Sequence, residues 1–206
     1  MSATAFLLAT RSDGKLREIS PIFAEAGLSV ISLDAMGIAP SDEENDLESF
    51  ETFEENALAK ARHFYEVSGG IPTIADDSGL MVEALGGLPG VRSKRWSART
   101  DLSGQALDDE NNAMLVRAVT SVPDRRARYV CVAAFISVGD AITCRGETTG
   151  RILDLPRGTG GFGYDPYFLS DELNRTFGEA SAREKENVSH RGRAFRALLR
   201  QLLDGR

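Results

Sequence analysis

The stretch Ile74-Ala75-Asp76-Asp77-Ser78-Gly79 decides the fold that this sequence predicts. A short apolar run leads into two adjacent carboxylates, a hydroxyl and a glycine. That pattern is typical of a buried strand whose C-terminal end meets a ligand cleft in an α/β protein. Adjacent carboxylates tolerate each other best when a cation lies beside them, and oxygen ligands of this type suit Mg²⁺. An ordinary polar turn after a strand is the alternative interpretation.

The composition indicates a folded protein with an acidic surface. The chain has 206 residues, of which 42% are hydrophobic, and its net charge is −7. The negative charge argues against non-specific binding to nucleic acid, and no apolar run reaches the roughly 18 residues of a membrane span. We therefore expect one domain, residues 1–206, that is cytoplasmic and has neither a nucleic-acid partner nor a membrane association.

The cysteines and histidines do not form a zinc site of familiar spacing. Cys131 and Cys144 fall in a predicted hairpin that turns at Gly139-Asp140. In the expected register the two thiols do not face each other, so we expect them to be reduced and buried. The two histidines, His63 and His190, are not spaced from these cysteines as zinc ligands are.

Apolar spacing along the chain predicts strands alternating with helices. The predicted strands are residues 5–9, 29–33, 128–138, 141–153 and 167–169, and the predicted helices are residues 16–27, 53–67, 102–119 and a last helix after Ser189. Pro21 is expected to kink or shorten the first helix. The hairpin between the two long strands makes the predicted sheet mixed rather than purely parallel.

A polar loop, residues 10–15, joins the first strand to the first helix. A strand, a glycine-containing loop and a helix in this order can present backbone N–H groups to an anion. The loop lacks the Walker pattern. An ordinary strand-to-helix turn is the alternative.

An acidic segment, residues 42–55, contains eight carboxylates and no basic residue, and most of it is expected to be a solvated loop. In the helix that follows, Asn56 and Lys60 are four residues apart and therefore share one face. A lysine in such a place is normally a solvated surface residue.

Two further segments combine unusual residue types. Residues 157–166 surround two aromatic residues and an aspartate with four glycines. Glycines let the backbone approach a flat ligand and an aromatic ring offers a stacking face, although a wide turn is the alternative. His190 and Arg191 follow Ser189, the expected N-cap of the last helix. Cationic residues at a helix N-terminus oppose the macrodipole, and such local conflicts often mark a site.

These segments, taken in order from end to end, resemble the inosine triphosphate pyrophosphatase family. The segments that match are Thr10…Gly14-Lys15, Phe53-Glu54-Glu55-Asn56-Ala57…Lys60-Ala61-Arg62, Ala75-Asp76-Asp77-Ser78-Gly79-Leu80, Leu85-Gly86-Gly87-Leu88-Pro89-Gly90, Gly160-Gly161-Phe162-Gly163-Tyr164-Asp165-Pro166 and Ser189-His190-Arg191-Gly192. The ordered set is specific, although no single motif is.

The resemblance implies hydrolysis of the purine nucleoside triphosphates ITP, dITP and XTP to the monophosphate and pyrophosphate, with Mg²⁺. It also implies a two-lobed α/β fold in which helices flank a mixed central β-sheet and the active site lies in the cleft between the lobes. A homodimer is the usual assembly of the family.

The resemblance also implies roles for individual residues. Asp77 matches the general base and, together with Glu48, a metal ligand. The substrate-binding residues that it implies are Thr10, Arg11, Ser12, Asp13, Gly14, Lys15, Lys60, Ser78, Phe162, Gly163, Tyr164, Asp165, Lys185, His190 and Arg191. Of these, the lysines match the groups that neutralise the triphosphate, while 162–165 and 190–191 match the base pocket.

One position departs from the family pattern. Arg11 and Ser12 replace the usual Gly-Asn of the phosphate loop. If that glycine position requires a positive φ, arginine is strained there. The alternative is that Arg11 adds a phosphate contact.

Two other functions compete with this one. A phosphoribosyltransferase also has a strand ending in Asp-Asp, but it normally continues with a small Thr/Gly loop, whereas Leu80-Met81-Val82 follows Gly79 here. A non-catalytic purine nucleotide-binding module would bind ITP without turnover.

Overall fold

The structure, a computed structural model, describes residues 5–204 in two compact units. The first unit comprises residues 5–77, 131–146 and 191–204, and the second comprises Ser78–Val130 and Glu147–His190. No helix within residues 5–204 is both long enough and apolar enough to cross a membrane.

Six strands form one sheet in the order β2-β1-β3-β4-β5-β6. The strands are β1 (Ala5–Leu8), β2 (Ser29–Ser32), β3 (Thr73–Val82), β4 (Arg126–Ile136), β5 (Ala141–Ile152) and β6 (Phe168–Ser170). β1 pairs in parallel with β2 and with β3, whereas β5 and β6 are antiparallel. The predicted mixed α/β sheet is therefore confirmed.

The α-helices within residues 5–204 are α1 (Asp13–Glu25), α2 (Phe53–Val67), α3 (Gly104–Val119), α4 (Ala182–Val188) and α5 (His190–Asp204). Short 3-10 helices cover Asp42–Asp46, Glu83–Leu85 and Gly90–Arg95. Pro21 was expected to kink or shorten α1; it does not end the helix, which continues through it to Glu25, and the kink stays a prediction. Pro21 is exposed, so water can satisfy the carbonyl that the proline leaves unpaired.

Each unit has a hydrophobic core of its own. In the first unit the ring of Phe6 lies 5.8 Å from that of Phe23 and 5.9 Å from that of Phe135. Cys131 and Cys144 lie in this core as free thiols, as predicted. The core of the second unit includes Leu80, Val82, Leu115, Val119, Tyr129, Phe168 and Phe177.

Strand β3 is longer than the sequence predicts. It runs from Thr73 to Val82, so Asp76 and Asp77 lie inside the strand and not after its end. The pairing of β1 with β3 stops at Leu8 and Ile74. The two carboxylates therefore lie just beyond the point where β1 ends, although their own strand continues.

The second half of β3 belongs to the second unit and is packed closely there. A Cβ atom at Gly79 would lie 2.2 Å from the carbonyl oxygen of Gly90 and 2.5 Å from Ser93 Oγ. The Leu80 N–H donates to Ser93 Oγ over 2.8 Å. Glycine is therefore required at position 79 by a close approach of backbone to backbone.

Candidate active site

The predicted phosphate-binding residues begin after β1 and run into the first turn of α1. Ser12 is the N-cap: its Oγ accepts from the Lys15 N–H over 3.4 Å, and its own N–H donates to Thr10 Oγ1 over 3.1 Å. Asp13 and Gly14 are the first two residues of the helix. The segment is therefore a helix N-terminus, whose N–H groups provide partial positive charge for an anion.

Arg11 is not strained in this segment. The non-glycine residues with positive φ within 5–204 are Ala98 and Asn174, so Arg11 does not adopt the left-handed conformation. Its guanidinium binds the carboxylates of Glu44 and Asp34. A direct phosphate contact from Arg11 stays a prediction.

Asp76 is a buried carboxylate with two cationic partners. Lys15 Nζ lies 3.1 Å from Oδ1, and Arg191 Nε lies 3.3 Å from Oδ2. Burial raises the pKa of Asp76, but Lys15, Arg191 and Lys60 together outweigh burial and hold that pKa well below its usual range. Asp76 is therefore ionised at neutral pH and holds these cations in place.

Asp77 has a different environment, because successive side chains of a strand point to opposite faces. Its carboxylate is buried and accepts a hydrogen bond from Asn56 Nδ2 over 2.9 Å. Burial raises the pKa of Asp77, Lys60 lowers it and Glu48 raises it, with a net increase. A carboxylate whose pKa is raised is a stronger base once it has lost its proton.

Lys60 is buried, which makes the sequence-based expectation of a solvated lysine wrong. Its Nζ donates to the backbone carbonyl of Asp76 over 3.0 Å and forms an ion pair with Glu48. Burial lowers the pKa of Lys60, but Glu48, Asp77 and Asp76 reverse that effect, so the pKa is raised and the group stays cationic. Three carboxylates thus explain how a lysine is tolerated on the buried side of α2.

Glu48 and Asp77 are the predicted metal ligands. Within residues 5–204 no group of three or more His, Cys, Asp or Glu side chains is arranged to hold a metal ion. Mg²⁺ commonly uses one or two carboxylates and takes its other oxygens from phosphates and water. Glu48 raises the pKa of Asp77 through like charge, and a cation beside both would relieve that repulsion. The residues therefore fit Mg²⁺ bound together with a phosphate substrate.

In the second unit, a salt bridge holds the predicted base-pocket loop. Lys185 Nζ pairs with Asp165 Oδ2 at 2.5 Å, and the Phe162 N–H donates to the same oxygen over 2.7 Å. Lys185 Nζ also lies 5.1 Å from the centroid of the Phe162 ring. The phosphate contact predicted for Lys185 stays a prediction, whereas the structure groups this lysine with the base-pocket residues.

Helix α3 fixes the same loop from a second direction. The Gly163 N–H donates to Asp108 Oδ2 over 3.0 Å, and Asn112 Nδ2 donates to the Gly163 carbonyl over 3.0 Å. The hydroxyl of Tyr164 donates to the Ser93 carbonyl over 2.6 Å. Both backbone polar groups of Gly163 are thus held by side chains one helical turn apart.

His190 is buried against an aromatic ring of the second unit. Its ring stacks on Tyr129, with centroids 4.5 Å apart and planes 7° from parallel. The Tyr129 hydroxyl lies 3.4 Å from Asp165 Oδ1. Tyr129 therefore connects His190 to the salt bridge of the loop.

Arg191, in the first turn of α5, belongs to the first unit. Its guanidinium forms ion pairs with Asp76 and with Glu18 of α1. The role in recognising the purine base predicted for Arg191 stays a prediction. The structure adds an ion pair between Arg191 and Asp76, the neighbour of the predicted general base Asp77. Ser78 lies half-buried in β3.

Sequence reasoning missed several residues that position the site: Glu18, Asn56, Asp108, Asn112 and Tyr129. The sequence places Asn56 on one helix face with Lys60 and inside a segment that resembles the family, but it gives this residue no role of its own. The polar pair Asp108 and Asn112, four residues apart on an amphipathic helix, was a detectable signal. Nothing in the sequence indicated the partners of Glu18 or Tyr129, because these contacts join segments that are far apart in the chain.

Comparison with known proteins agrees with this geometry. The sequence model of the Ham1 family matches residues 6–201. The chain belongs to the Ham1 family. It is 46% identical to the dITP/XTP pyrophosphatase of Frankia alni, over 96% of this chain and 98% of that protein. It is 43% identical to the dITP/XTP pyrophosphatase of Ralstonia nicotianae, over 95% of each.

Solved structures of Ham1 proteins share the fold. The HAM1 protein of Coxiella burnetii superposes with a TM-score of 0.82 at 32% identity, covering 97% of this chain and 98% of that one. The Ham1 protein of Staphylococcus aureus superposes with a TM-score of 0.79 at 32% identity, covering 98% of each chain. The resemblance and the α/β fold expected from the sequence are both confirmed.

Proposed function

We propose that this Ham1 protein hydrolyses non-standard purine nucleoside triphosphates, dITP, XTP and ITP, to the monophosphate and pyrophosphate. The observation on which the proposal depends most is the pair of adjacent carboxylates in β3 with opposite electrostatic environments. Asp76 is held ionised among cations, whereas the pKa of Asp77 is raised. Pairs of this kind commonly divide a structural role from an acid-base role. Relatives named dITP/XTP pyrophosphatase support this choice of substrates and reaction.

In the first unit, the cations and the α1 N-terminus bind the triphosphate. Lys15 and Lys60 neutralise phosphate oxygens, whose charge grows as pyrophosphate leaves. Asp77 accepts a proton from water while the water oxygen bonds to phosphorus, and the anhydride bond between the α- and β-phosphates breaks. Asn56 holds the Asp77 carboxylate in position for that transfer.

Mg²⁺ is part of the proposal. Glu48 and Asp77 would hold it, and when bound it would stabilise negative charge on the phosphate oxygens. Because the proposal assigns two carboxylates to the metal, its affinity should be low until a nucleotide adds its own oxygens.

In the second unit, the base pocket is the segment that contains Phe162 and Asp165. The Phe162 ring offers a stacking surface, and the Asp165–Lys185 pair sets the position of the loop. His190 and Arg191 are proposed to read the base. Hypoxanthine and xanthine present an acceptor oxygen at position 6, which suits a donor such as Arg191.

One assay tests this function. Pyrophosphate release is measured for dITP, XTP, ITP, ATP, GTP and dTTP, with Mg²⁺ and with excess EDTA. We expect rapid release from the first three substrates and loss of activity in EDTA. Binding of ITP without turnover would favour the nucleotide-binding module, and pyrophosphate release from phosphoribosyl pyrophosphate plus a free base would favour the phosphoribosyltransferase.

We also propose a homodimer that acts in the cytoplasm, as expected from the resemblance. Light scattering coupled to size-exclusion chromatography measures the assembly directly, and a monomer mass at micromolar concentration would exclude the dimer.

A further inference from the structure

The guanidinium of Arg11 joins two segments of the first unit that both lead to proposed site residues. Arg11 lies between Thr10 and Ser12, at the start of the phosphate-binding segment. Its Nε donates to Glu44 Oε2 over 3.2 Å, and its Nη2 donates to Glu44 Oε1 over 2.8 Å. This is a two-point contact between an arginine and a carboxylate, which fixes geometry as well as charge.

Arg11 makes further contacts with the chain before Glu44. Its Nη1 donates to the backbone carbonyl of Ile38 over 2.8 Å and to Asp34 Oδ1 over 3.0 Å. Its guanidinium carbon lies 5.9 Å from the centroid of the Phe64 ring. Residues 34–44 are thus attached to the phosphate-binding segment at three points by one side chain.

Of the two ion pairs that Arg11 forms, the one with Glu44 is the better protected from solvent. The Glu44 side chain is 18% exposed and the Asp34 side chain is 86% exposed, so solvent screens the Asp34 pair far more. Glu44 also accepts from the Ser41 N–H over 3.2 Å, which caps the 3-10 helix Asp42–Asp46. One carboxylate therefore holds the shape of that helix and ties it to Arg11.

That 3-10 helix ends two residues before Glu48. Ser49 Oγ donates to the Asp46 carbonyl over 2.8 Å, so a hydrogen bond links the residues on either side of Glu48. Glu48 itself pairs with Lys60. The position of Glu48 thus depends on the turn that Glu44 caps and Arg11 anchors.

We propose that Arg11 is a positioning residue that acts through Glu44 to hold Glu48 at a fixed distance from the phosphate-binding segment. This inference rests on the proposed function, in which Glu48 is a ligand of Mg²⁺. In this proposal Arg11 influences the metal through the turn, which is separate from the direct phosphate contact predicted for the same residue.

The test is a double-mutant cycle of Arg11→Ala and Glu44→Gln. The half-saturating Mg²⁺ concentration is measured in turnover, and Mn²⁺ binding is measured by electron paramagnetic resonance with the α,β-imido analogue of ITP. We expect each single change to raise both values about five- to tenfold, because a charge-assisted two-point contact is lost. The double variant should resemble Arg11→Ala, because loss of Arg11 already removes the contact that Glu44→Gln weakens, together with those to Asp34 and Ile38.

Two exposed neighbours provide matched controls. Glu43→Gln removes the same charge from the same 3-10 helix, and Arg17→Ala removes an arginine from the exposed face of α1. Both should leave the metal titrations within about twofold of wild type, as surface substitutions usually do. Arg11→Lys should recover part of the loss, since an ammonium keeps the charge but not the two-point geometry.

Several outcomes would overturn the inference. Additive effects in the double variant, or an effect of Glu43→Gln equal to that of Glu44→Gln, would show that the Arg11–Glu44 contact is not responsible. If Arg11→Ala weakens analogue binding without metal while Glu44→Gln does not, Arg11 contacts the phosphates directly. If Arg11→Ala does not fold, the comparison of Glu44→Gln with Glu43→Gln decides. A wild-type enzyme that needs no metal would instead refute the metal part of the proposed function.

Discussion

The side-chain amide of Asn56 donates a hydrogen bond to Asp77 Oδ2 over 2.9 Å, from a position that is fully buried in α2. The same amide exchanges two hydrogen bonds with the backbone of Phe50, whose N–H donates to Asn56 Oδ1 and whose carbonyl accepts from Nδ2. Asn56 therefore orients Asp77, the proposed general base, and holds the backbone of Phe50, two residues after Glu48.

Asn56→Ala should lower kcat about tenfold, the lower end of the range seen when a residue that orients a site ligand is lost. It should also lower the free energy of unfolding by about 1–3 kcal/mol, because the buried Asp77 carboxylate and the backbone of Phe50 lose a partner. Steady-state kinetics and urea denaturation measure the two effects. Asn45→Ala, at an exposed position, is the matched control, and an equal loss there would contradict this role.

Asp77→Asn should lower kcat by roughly 10²-fold or more, because the amide cannot accept the proton. Burial raises the pKa of Asp77, and a base works only when deprotonated, so kcat/KM should rise with pH through a pKa above the usual value of about 3.9. The variant should lack this rise. Asp46→Asn changes an exposed acid and should keep both the wild-type kcat and the pH dependence of kcat/KM. Full turnover of Asp77→Asn at saturating Mg²⁺ would eliminate Asp77 as the general base.

Lys60→Ala and Lys185→Ala should differ in what they do to base preference. Lys60 lies among the carboxylates of the first unit, so its loss should lower kcat/KM for ITP, XTP and ATP by a similar factor, about tenfold or more. Lys185 holds Asp165 in the base-pocket loop, so its loss should change the ratio of ITP to ATP as well. The test is to measure kcat/KM for ITP, XTP and ATP with both variants. A changed ratio of ITP to ATP in Lys60→Ala would show that Lys60 is not simply a phosphate contact.

Asp76 should make stability depend on pH at the acid end. Burial alone would raise its pKa, but Lys15, Arg191 and Lys60 depress it below the unfolded value of about 3.9. A carboxyl depressed in the folded state stabilises it above about pH 4, and that stabilisation is lost as pH falls further. Urea denaturation between pH 7 and pH 3 should show the decrease.

Asp76→Asn should flatten that part of the pH dependence and cost about 3 kcal/mol at pH 7, since buried cations lose a partner. Asp101→Asn is a useful comparison, because Asp101 also pairs with an arginine but lies exposed. If Asp76→Asn kept the wild-type loss of stability at acid pH, a group other than Asp76 would be responsible for that loss.

Arg191→Ala should compress the ratio of ITP to ATP turnover. A donor facing the 6-position favours an acceptor oxygen over an amino group, and the mismatch is worth roughly 10³-fold in selectivity. Because Arg191 also pairs with Asp76 and Glu18, the variant should be less stable as well. Kinetics are therefore measured at a temperature at which both the wild-type protein and the variant are folded. Arg200→Ala, exposed on the same helix, should leave the ratio unchanged.

The sequence predicted most of the architecture because most segments are locally consistent. Strand-like apolar runs, the Thr52 cap of α2 and the Gly139-Asp140 turn all specify their own structure, and each is present. Helix α4 was missed although Ser181 and Glu184 form a capping box before it. Its length of 7 residues is too short to show an apolar period.

Features that depend on tertiary contacts could not be predicted in the same way. The burial of Lys60 depends on Glu48 and on Asp76, which come from other segments of the chain. The end of β3 was placed too early because two carboxylates inside a strand contradict local propensity. The strand tolerates them since lysines, an arginine and Asn56 surround them in the folded protein.

The division of the chain into two units has a practical consequence for protein engineering. The chain passes from one unit to the other at four places, and two of them, between Asp77 and Ser78 and between His190 and Arg191, cut through a motif whose residues are adjacent in sequence. The other two lie between Val130 and Cys131 and between Gly146 and Glu147. A chimaera that takes its second unit from a related enzyme therefore needs four crossovers, and all of them fall inside strands or a helix and none in a loop. Recombination at loop junctions would separate residues such as Ser78 and His190 from the rest of the second unit.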